Sequence, residues 1–217
     1  FGTVGRPLGG LEVRIAEDGE ILTRGPHIMQ GYYRRPEATQ AAILNGWFHT
    51  GDIGCLDADG FLTITDRKKD LIKTSGGKFI APQKLENLFV TDPYIVQAFV
   101  YGDRERFCVA LIVPHQERLV TYAQEQGLHA DPYPELLRRS EIQAFMWSRV
   151  STLQAVLPNF EQVKAIALLD QEFTQAAGEL TPTLKAKRAA IAARYQDLLH
   201  RLYVSPSQET QPGQTGP

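Results

Sequence analysis

The 217 residues are 43% hydrophobic and 22% charged, the make-up of a soluble globular chain with material for one large or two small cores. A formal charge of −2 gives no global basic field for nucleic acid, and no apolar run has the length of a membrane span or the pattern of a signal peptide. Cys55 and Cys108 stand far apart and read as small buried hydrophobes in a reducing compartment, less readily as a disulfide, and the five histidines never pair at ligand spacing, which argues against a protein-built metal site.

In chain order, "LEVRI", "GEILTRG" and "GFLTITD" alternate apolar with polar residues and read as strands, the last following the turn "DADG". "PEATQAAIL" reads as a helix opened by Pro36. The texture changes near residue 67. "APQKLENLFV" reads as a helix, and "IVQAFVYGD" and "RFCVALIVP" as an antiparallel hairpin with its tip at "GDRER". Residues 115 to 126 read as a helix stopped by Gly127.

Ser140 and Gln143 suit a capping box, after which Ile142, Phe145, Met146, Val150, Leu153 and Leu157 recur at helical spacing as a core stripe. "VKAIALL" reads as a strand. "LKAKRAAIAARYQDLLHRLY" reads as one long helix with Ile191, Tyr195, Leu198 and Leu202 on one face. The fold class expected is α+β, with no internal repeat. A β-rich piece spans 1–67, a small α+β domain spans 68–204, and residues 205–217, which lack apolar side chains, form a disordered tail. A chain opening on Phe1, inside what reads as a motif, is expected to be part of a longer protein.

Three polar features carry chemistry. In "GWFHTGDIG", Asp52 stands among glycines; an ionised carboxylate can accept from two neighbouring hydroxyls, such as the cis pair of a ribose, although a lone T-G-D also suits a turn cap. Arg67 ends the strand that returns through "DADG", so a hairpin brings it beside Asp52, either as a second grip on a sugar or as a surface ion pair. Lys185 falls just inside the expected helix start, where the dipole disfavours a cation unless it reaches an anionic ligand. Lys187 and Arg188 read as solvated.

The order of "GTVGRPLGGLEVRI", "GEILTRGPHIMQGYYRRPEAT", "GWFHTGDIG", "GFLTITDRKKDLIKTSGGKFIAP" and "GELTPTLKAKR" resembles the C-terminal part of the adenylate-forming superfamily, and most of all the long-chain fatty acyl-CoA synthetases, over residues 1 to 204. The resemblance implies a lid domain preceded by the end of the large AMP-binding domain. It implies a two-step reaction in which a fatty acid attacks the α-phosphate of ATP to give acyl-AMP and the thiol of CoA then displaces AMP. The implied partners are fatty acid, ATP and CoA, with no nucleic acid, in the cytoplasm, with room for peripheral association with a membrane. Mg2+ would be held mainly by residues outside this stretch, and the 217 residues alone are expected to be inactive.

By resemblance, Asp52 and Arg67 hold the ribose, with Thr50 also at the nucleotide, and Lys69 is the hinge. Lys73 with Gly76 and Gly77 lies on the thioester-forming face, where bare backbone admits the pantetheine arm of CoA. Lys185 bridges the acyl carboxylate and the α-phosphate. Leu184 stands where the common motif has glycine, and the "TSGGKF" loop is one residue longer than in coumarate ligases and luciferase, so Lys78 or Phe79 takes the position of their glutamine. The competing readings are an acyl-AMP ligase or other adenylating enzyme that loads a carrier protein, and a non-catalytic nucleotide-binding module.

Overall fold

The computed structural model describes residues 2–128 and 132–204. The tail expected from residue 205 lies outside the described residues. The chain divides into two compact units, Phe1–Leu71 and Ile72–Pro217.

The first unit is a five-stranded antiparallel sheet with one short helix. Strand β1 (Glu12–Ile15) pairs with β2 (Glu20–Arg24), and β2 with the ten-residue β4 (Trp47–Leu56). On the other side of β4 lie β3 (Ile43–Leu44) at one end and β5 (Leu62–Arg67) at the other. The helix expected over "PEATQAAIL" is shorter: α1 covers Pro36–Ala42, and Ile43 and Leu44 have become β3. The reason is Asn45-Gly46, both at positive φ (51° and 77°), a two-residue hairpin turn that draws the preceding pair into the sheet. Cys55 is exposed on β4, against expectation, because its neighbours in the alternation, Gly54 and Leu56, take the inward side. Among the described residues, Ile21 and Leu22 are the buried apolar side chains of this unit, and Glu20 and Asp66 are buried beside them.

In the second unit β6 (Ile72–Lys73) and β7 (Phe79–Ile80) form a small ribbon leading into α2 (Pro82–Phe89). The main sheet has the order β10-β9-β8, with β8 (Ile95–Tyr101) antiparallel and β10 (Val163–Leu168) parallel to the central β9 (Cys108–Pro114). Every residue of β9 is buried because helices cover both faces of the sheet. On one face, α2, α3 (Gln116–Glu125), α4 (Tyr133–Leu136) and α5 (Ser140–Gln154) pack on Val100, Cys108, Ala110, Ile112 and Val163. On the other, α6 (Arg188–Arg194) and α7 (Gln196–Val204) cover Phe99, Val109, Leu111 and Ala165.

The α5 stripe is core: Ile142, Met146 and Val150 are fully buried, with Phe145, Leu153 and Leu157 packed against them. The capping box is not formed. Ser140 already lies within the helix; its hydroxyl donates to Glu141, and Gln143 Nε2 donates to Leu137 O. Cys108 is free and buried, and burial pushes its thiol up to about 12. The long helix expected from residue 184 is two helices meeting at Tyr195 (φ −104°, ψ 19°), and it begins only at Arg188.

Candidate functional site

In the first unit, the returning hairpin sets Asp52 opposite Arg67, with Asp52 Oδ1 2.7 Å from Arg67 Nε. Asp52 is displayed by a bulge. Between the pairs Leu22↔His49 and Glu20↔Ile53, the single residue Ile21 is opposed by Thr50, Gly51 and Asp52. Gly51 sits at φ +71°, which glycine adopts without strain. The Thr50 hydroxyl donates to Ile21 O (2.7 Å) and accepts the Asp52 N–H (3.0 Å), so it is engaged in holding the bulge.

Glu20, which sequence reasoning missed, lies beneath. It is 3% exposed, and its Oε1 accepts the Gly51 N–H at 2.9 Å. Its Oε2 accepts from Lys68 Nζ and lies against His49 Nδ1, each at 2.9 Å. Lys68 also reaches Asp18 at 2.7 Å. Burial pushes the Glu20 carboxyl up, but hydrogen bonds from Lys68, His49 and Gly51 outweigh it and hold the group below its ordinary range. Hydrogen bonds to Asp18 and Glu20 raise the Lys68 ammonium in turn. The sequence showed Glu20 only as the first residue of an alternating strand. Lys69 lies in a single 3-10 turn, Lys68–Asp70, at the end of this unit.

In the second unit, Lys73 ends β6 and its ammonium lies 5.4 Å from the centre of the Phe79 ring. The loop from Thr74 to Lys78 is closed by Thr74 N–H to Lys78 O (3.0 Å) and Gly77 N–H to Thr74 O (2.9 Å). Gly77 has φ +75°, and a Cβ there would meet nothing within 4 Å, so the site is open on that side. The tip of the β8–β9 hairpin braces the loop. Asp103 Oδ1 accepts the Lys73 N–H (3.2 Å), Arg104 N–H donates to Lys73 O (2.8 Å) and Ser75 N–H to Glu105 O (2.8 Å).

Lys185 is not inside a helix. It closes a tight turn in which Thr181 N–H donates to Lys185 O (2.8 Å), Leu184 N–H to Thr181 O (2.9 Å) and Lys185 N–H to the Thr181 hydroxyl (3.0 Å). Leu184 has φ +60°, the left-handed conformation that glycine takes at least cost, so the residue differs from the common motif while the backbone suits it. Lys185 is exposed and lines an open groove of about 780 Å³ together with Gln83, Asn87, Gln97, Thr174 and Leu184. Lys185 and the glycine loop thus meet β8 near opposite ends, one by Val96–Ala98 and the other beyond Tyr101.

Below the turn, Glu179 is 2% exposed: its Oε2 accepts the Thr174 N–H at 3.0 Å. Its Oε1 lies 3.1 Å from Arg194, close enough for an ion pair but without a hydrogen-bonding angle. Lys187 is exposed, as the sequence suggested, but Arg188 is not solvated. Its guanidinium pairs with Glu86 at 2.9 Å, donates to Val100 O and lies over the Phe99 ring. Burial of Glu86 on α2 favours a charged partner, and Arg188 supplies one.

Among the described residues no group of three or more His, Cys, Asp or Glu side chains could hold a metal ion, and no helix is long and apolar enough to cross a membrane.

This combination of mixed sheet and helix units is the fold of adenylate-forming enzymes. The adenylation domain of a carboxylate reductase from Mycobacterium chelonae is 26% identical with a TM-score of 0.67, over 92% of this chain and 32% of that one. The O-succinylbenzoate coenzyme A synthetase of Bacillus subtilis, solved with ATP and a magnesium ion, is 28% identical with a TM-score of 0.57, over 87% of this chain and 35% of that one. The chain belongs to the AMP-binding enzyme C-terminal domain family, which matches residues 69–207. Long-chain-fatty-acid–CoA ligase FadD15 of Mycobacterium tuberculosis is 39% identical over 204 residues, 94% of this chain and 34% of that protein. The chain spans about a quarter to a third of the length of the curated relatives it matches.

Proposed function

We propose that the full-length protein containing these residues is a long-chain fatty acid–CoA ligase, activating a fatty acid with ATP to acyl-AMP and passing the acyl group to CoA. The observation that carries the reading is the Asp52–Arg67 pair, with Asp52 displayed on a bulge that Thr50 and Glu20 hold from the strand side. The substrate class rests on the 39% identity to a long-chain-fatty-acid–CoA ligase.

In this reading residues 1–67 end the large nucleotide-binding domain and 68–204 form its lid. Asp52 accepts from the two ribose hydroxyls and Arg67 donates to the same sugar, while Thr50 holds the bulge. Lys185 supplies positive charge between the fatty carboxylate and the α-phosphate, two groups that repel each other. Lys69 is the pivot. Lys73, Gly76 and Gly77 line the thioester face, where open backbone leaves room for the pantetheine arm. Magnesium enters with ATP, and no residue of this chain is assigned to it.

A second reading, transfer of the acyl group from acyl-AMP to a carrier protein with release of AMP, is favoured by the higher TM-score to a carboxylate reductase adenylation domain (0.67) than to a CoA synthetase (0.57). Incubating the full-length protein with palmitate, ATP and magnesium, with and without CoA, separates the two. The proposal expects palmitoyl-CoA and AMP in near-equal amounts; acyl-AMP that persists in the presence of CoA would favour the second reading.

A further inference from the structure

The residues on either side of the Asp52–Arg67 pair converge on one buried carboxylate. Gly51 precedes Asp52, and its N–H donates to Glu20 Oε1 at 2.9 Å; Lys68 follows Arg67, and its ammonium donates to Glu20 Oε2 at 2.9 Å. We propose that Glu20 is a positioning residue for the nucleotide site, fixing the two members of the Asp52–Arg67 pair from below so that both face the same sugar. The inference rests on the assignment of that pair to ribose.

The physical argument is one of backbone freedom. Three residues opposing one leave the bulge outside the regular ladder, so its peptide groups need partners other than β2 main chain. The Asp52 N–H has the Thr50 hydroxyl, but the Gly51 N–H has the Glu20 carboxylate. Nothing packs where a Gly51 Cβ would be, so side-chain crowding does not hold this glycine at φ +71°. Without Glu20 the bulge loses the carboxylate that accepts the Gly51 N–H, the Gly51 peptide is free to rotate, and the Asp52 carboxylate moves with it. On the other arm, Lys68 loses its buried partner and keeps only Asp18, whose side chain is 49% exposed. A carboxylate 3% exposed is costly to bury, and Glu20 is satisfied by three donors that all lie on, or next to, the site's own strands.

A merely structural Glu20 would lower stability without altering what the site recognises. The test therefore measures, in the full-length protein, the dissociation constants for AMP and 2′-deoxy-AMP and takes their ratio as the report on ribose alignment. The parent is expected to prefer AMP, and Asp52→Ala to abolish the preference. Glu20→Ala is expected to reduce the preference about tenfold, the scale of one displaced hydrogen bond to a charged group. Glu20→Gln, which keeps an acceptor for Gly51 and loses the charge for Lys68, gives an intermediate ratio and decides the matter if Glu20→Ala does not fold. A ratio equal to the parent's in the Glu20 variants, with only a lowered melting temperature, overturns the inference while leaving the nucleotide site standing. A ratio unchanged in Asp52→Ala overturns the nucleotide reading and this inference together.

Discussion

Glu86 of α2 and Arg188 at the start of α6 meet at 2.9 Å although 102 residues separate them in sequence. Their side chains are only 8% and 23% exposed, and the same carboxylate accepts the Val100 N–H while the guanidinium reaches Val100 O. The pair thus ties the helix that follows the Lys185 turn to β8 and α2. Arg188→Ala removes the guanidinium that pairs with Glu86 and reaches Val100 O. The expected loss is about 2 kcal/mol of stability in the second unit, read by denaturant unfolding through Trp147. A change within a few tenths would show that the pair makes no net contribution.

Gly54 is required by packing rather than by torsion angle. A Cβ there would fall 2.3 Å from Thr63 O and 2.7 Å from Ile21 Cδ1, closing the space between β4 and β5 just beyond Asp52. Gly54→Ala should cost about 1–3 kcal/mol, as overpacking does, and the loss should appear in Trp47 fluorescence in a Trp147→Phe background, since Trp47 shares β4. Unfolding of Gly54→Ala at the parent midpoint would mean that the strands separate without penalty.

These two cases mark what could be read from the sequence and what could not. The apolar stripe from Ile142 to Leu157 reports burial directly, because one face of α5 is covered; alternation in "LEVRI" and "GFLTITD" located two strands but not their buried side, since β1 has no buried residue and in β5 Ile64 is exposed while Asp66 is buried. The Asp52–Arg67 pairing was legible because a hairpin returns its chain to the starting end. Glu20 and Arg188 were not, because their partners lie 31 and 102 residues away and no local pattern encodes such burial. The start of α6 was misplaced for a third reason: "LKAKRAAIA" has good helix formers throughout, but the hydrogen bonds of Thr181 and the left-handed Leu184 hold residues 181–185 in a turn.

The Glu20 network has a definite pH signature. The Glu20 and Asp18 carboxyls are held below their ordinary values of 4.5 and 3.8, so what they contribute is fully present above those values and is lost as pH falls through the lower folded ones. Lys68 is raised above 10.5, so its contribution is fully present below that value and is lost as pH rises through the folded one. The first unit should therefore weaken on acidification below about pH 4.5, and Glu20→Gln should remove much of that acid limb. The midpoint of urea unfolding, followed through Trp47 between neutral and acid pH, measures it. Parallel curves for parent and variant would show that Glu20 does not titrate with folding.

For the nucleotide, the geometry leaves Asp52 25% exposed with its main chain secured from below. If Asp52 holds the ribose as proposed, Asp52→Ala in the full-length protein removes up to two hydrogen bonds to a charged acceptor, each worth about 1.5–3 kcal/mol. AMP binding should weaken by that amount and 2′-deoxy-AMP binding by less. Calorimetric titration of both nucleotides checks it, and equal losses would make Asp52 a structural residue of the bulge.

Lys185 and the glycine loop approach opposite ends of β8, and this separation predicts that they fail in different half-reactions. On the proposed reading, Lys185→Ala removes a cation from the place where charge develops as the acyl carboxylate attacks phosphorus. It should slow fatty-acid-dependent ATP–pyrophosphate exchange by about 10²–10³-fold, while conversion of supplied acyl-AMP to thioester stays near the parent rate. Gly77→Trp should do the reverse. Its φ of +75° makes any side chain strained, and the open space beside it would be filled by the indole. Gly77→Ala serves as the control for backbone strain without bulk. If Lys69 is the pivot as proposed, Lys69→Pro, at the 3-10 turn, should impair the half-reaction that needs lid rotation, because proline fixes φ there. Single-turnover measurements on the full-length protein, with fatty acid and ATP in one series and synthetic acyl-AMP and CoA in the other, resolve the two steps. If Lys185→Ala slows both series alike, the lysine supports the fold of the Thr181–Lys185 turn and the adenylation role belongs to another cation.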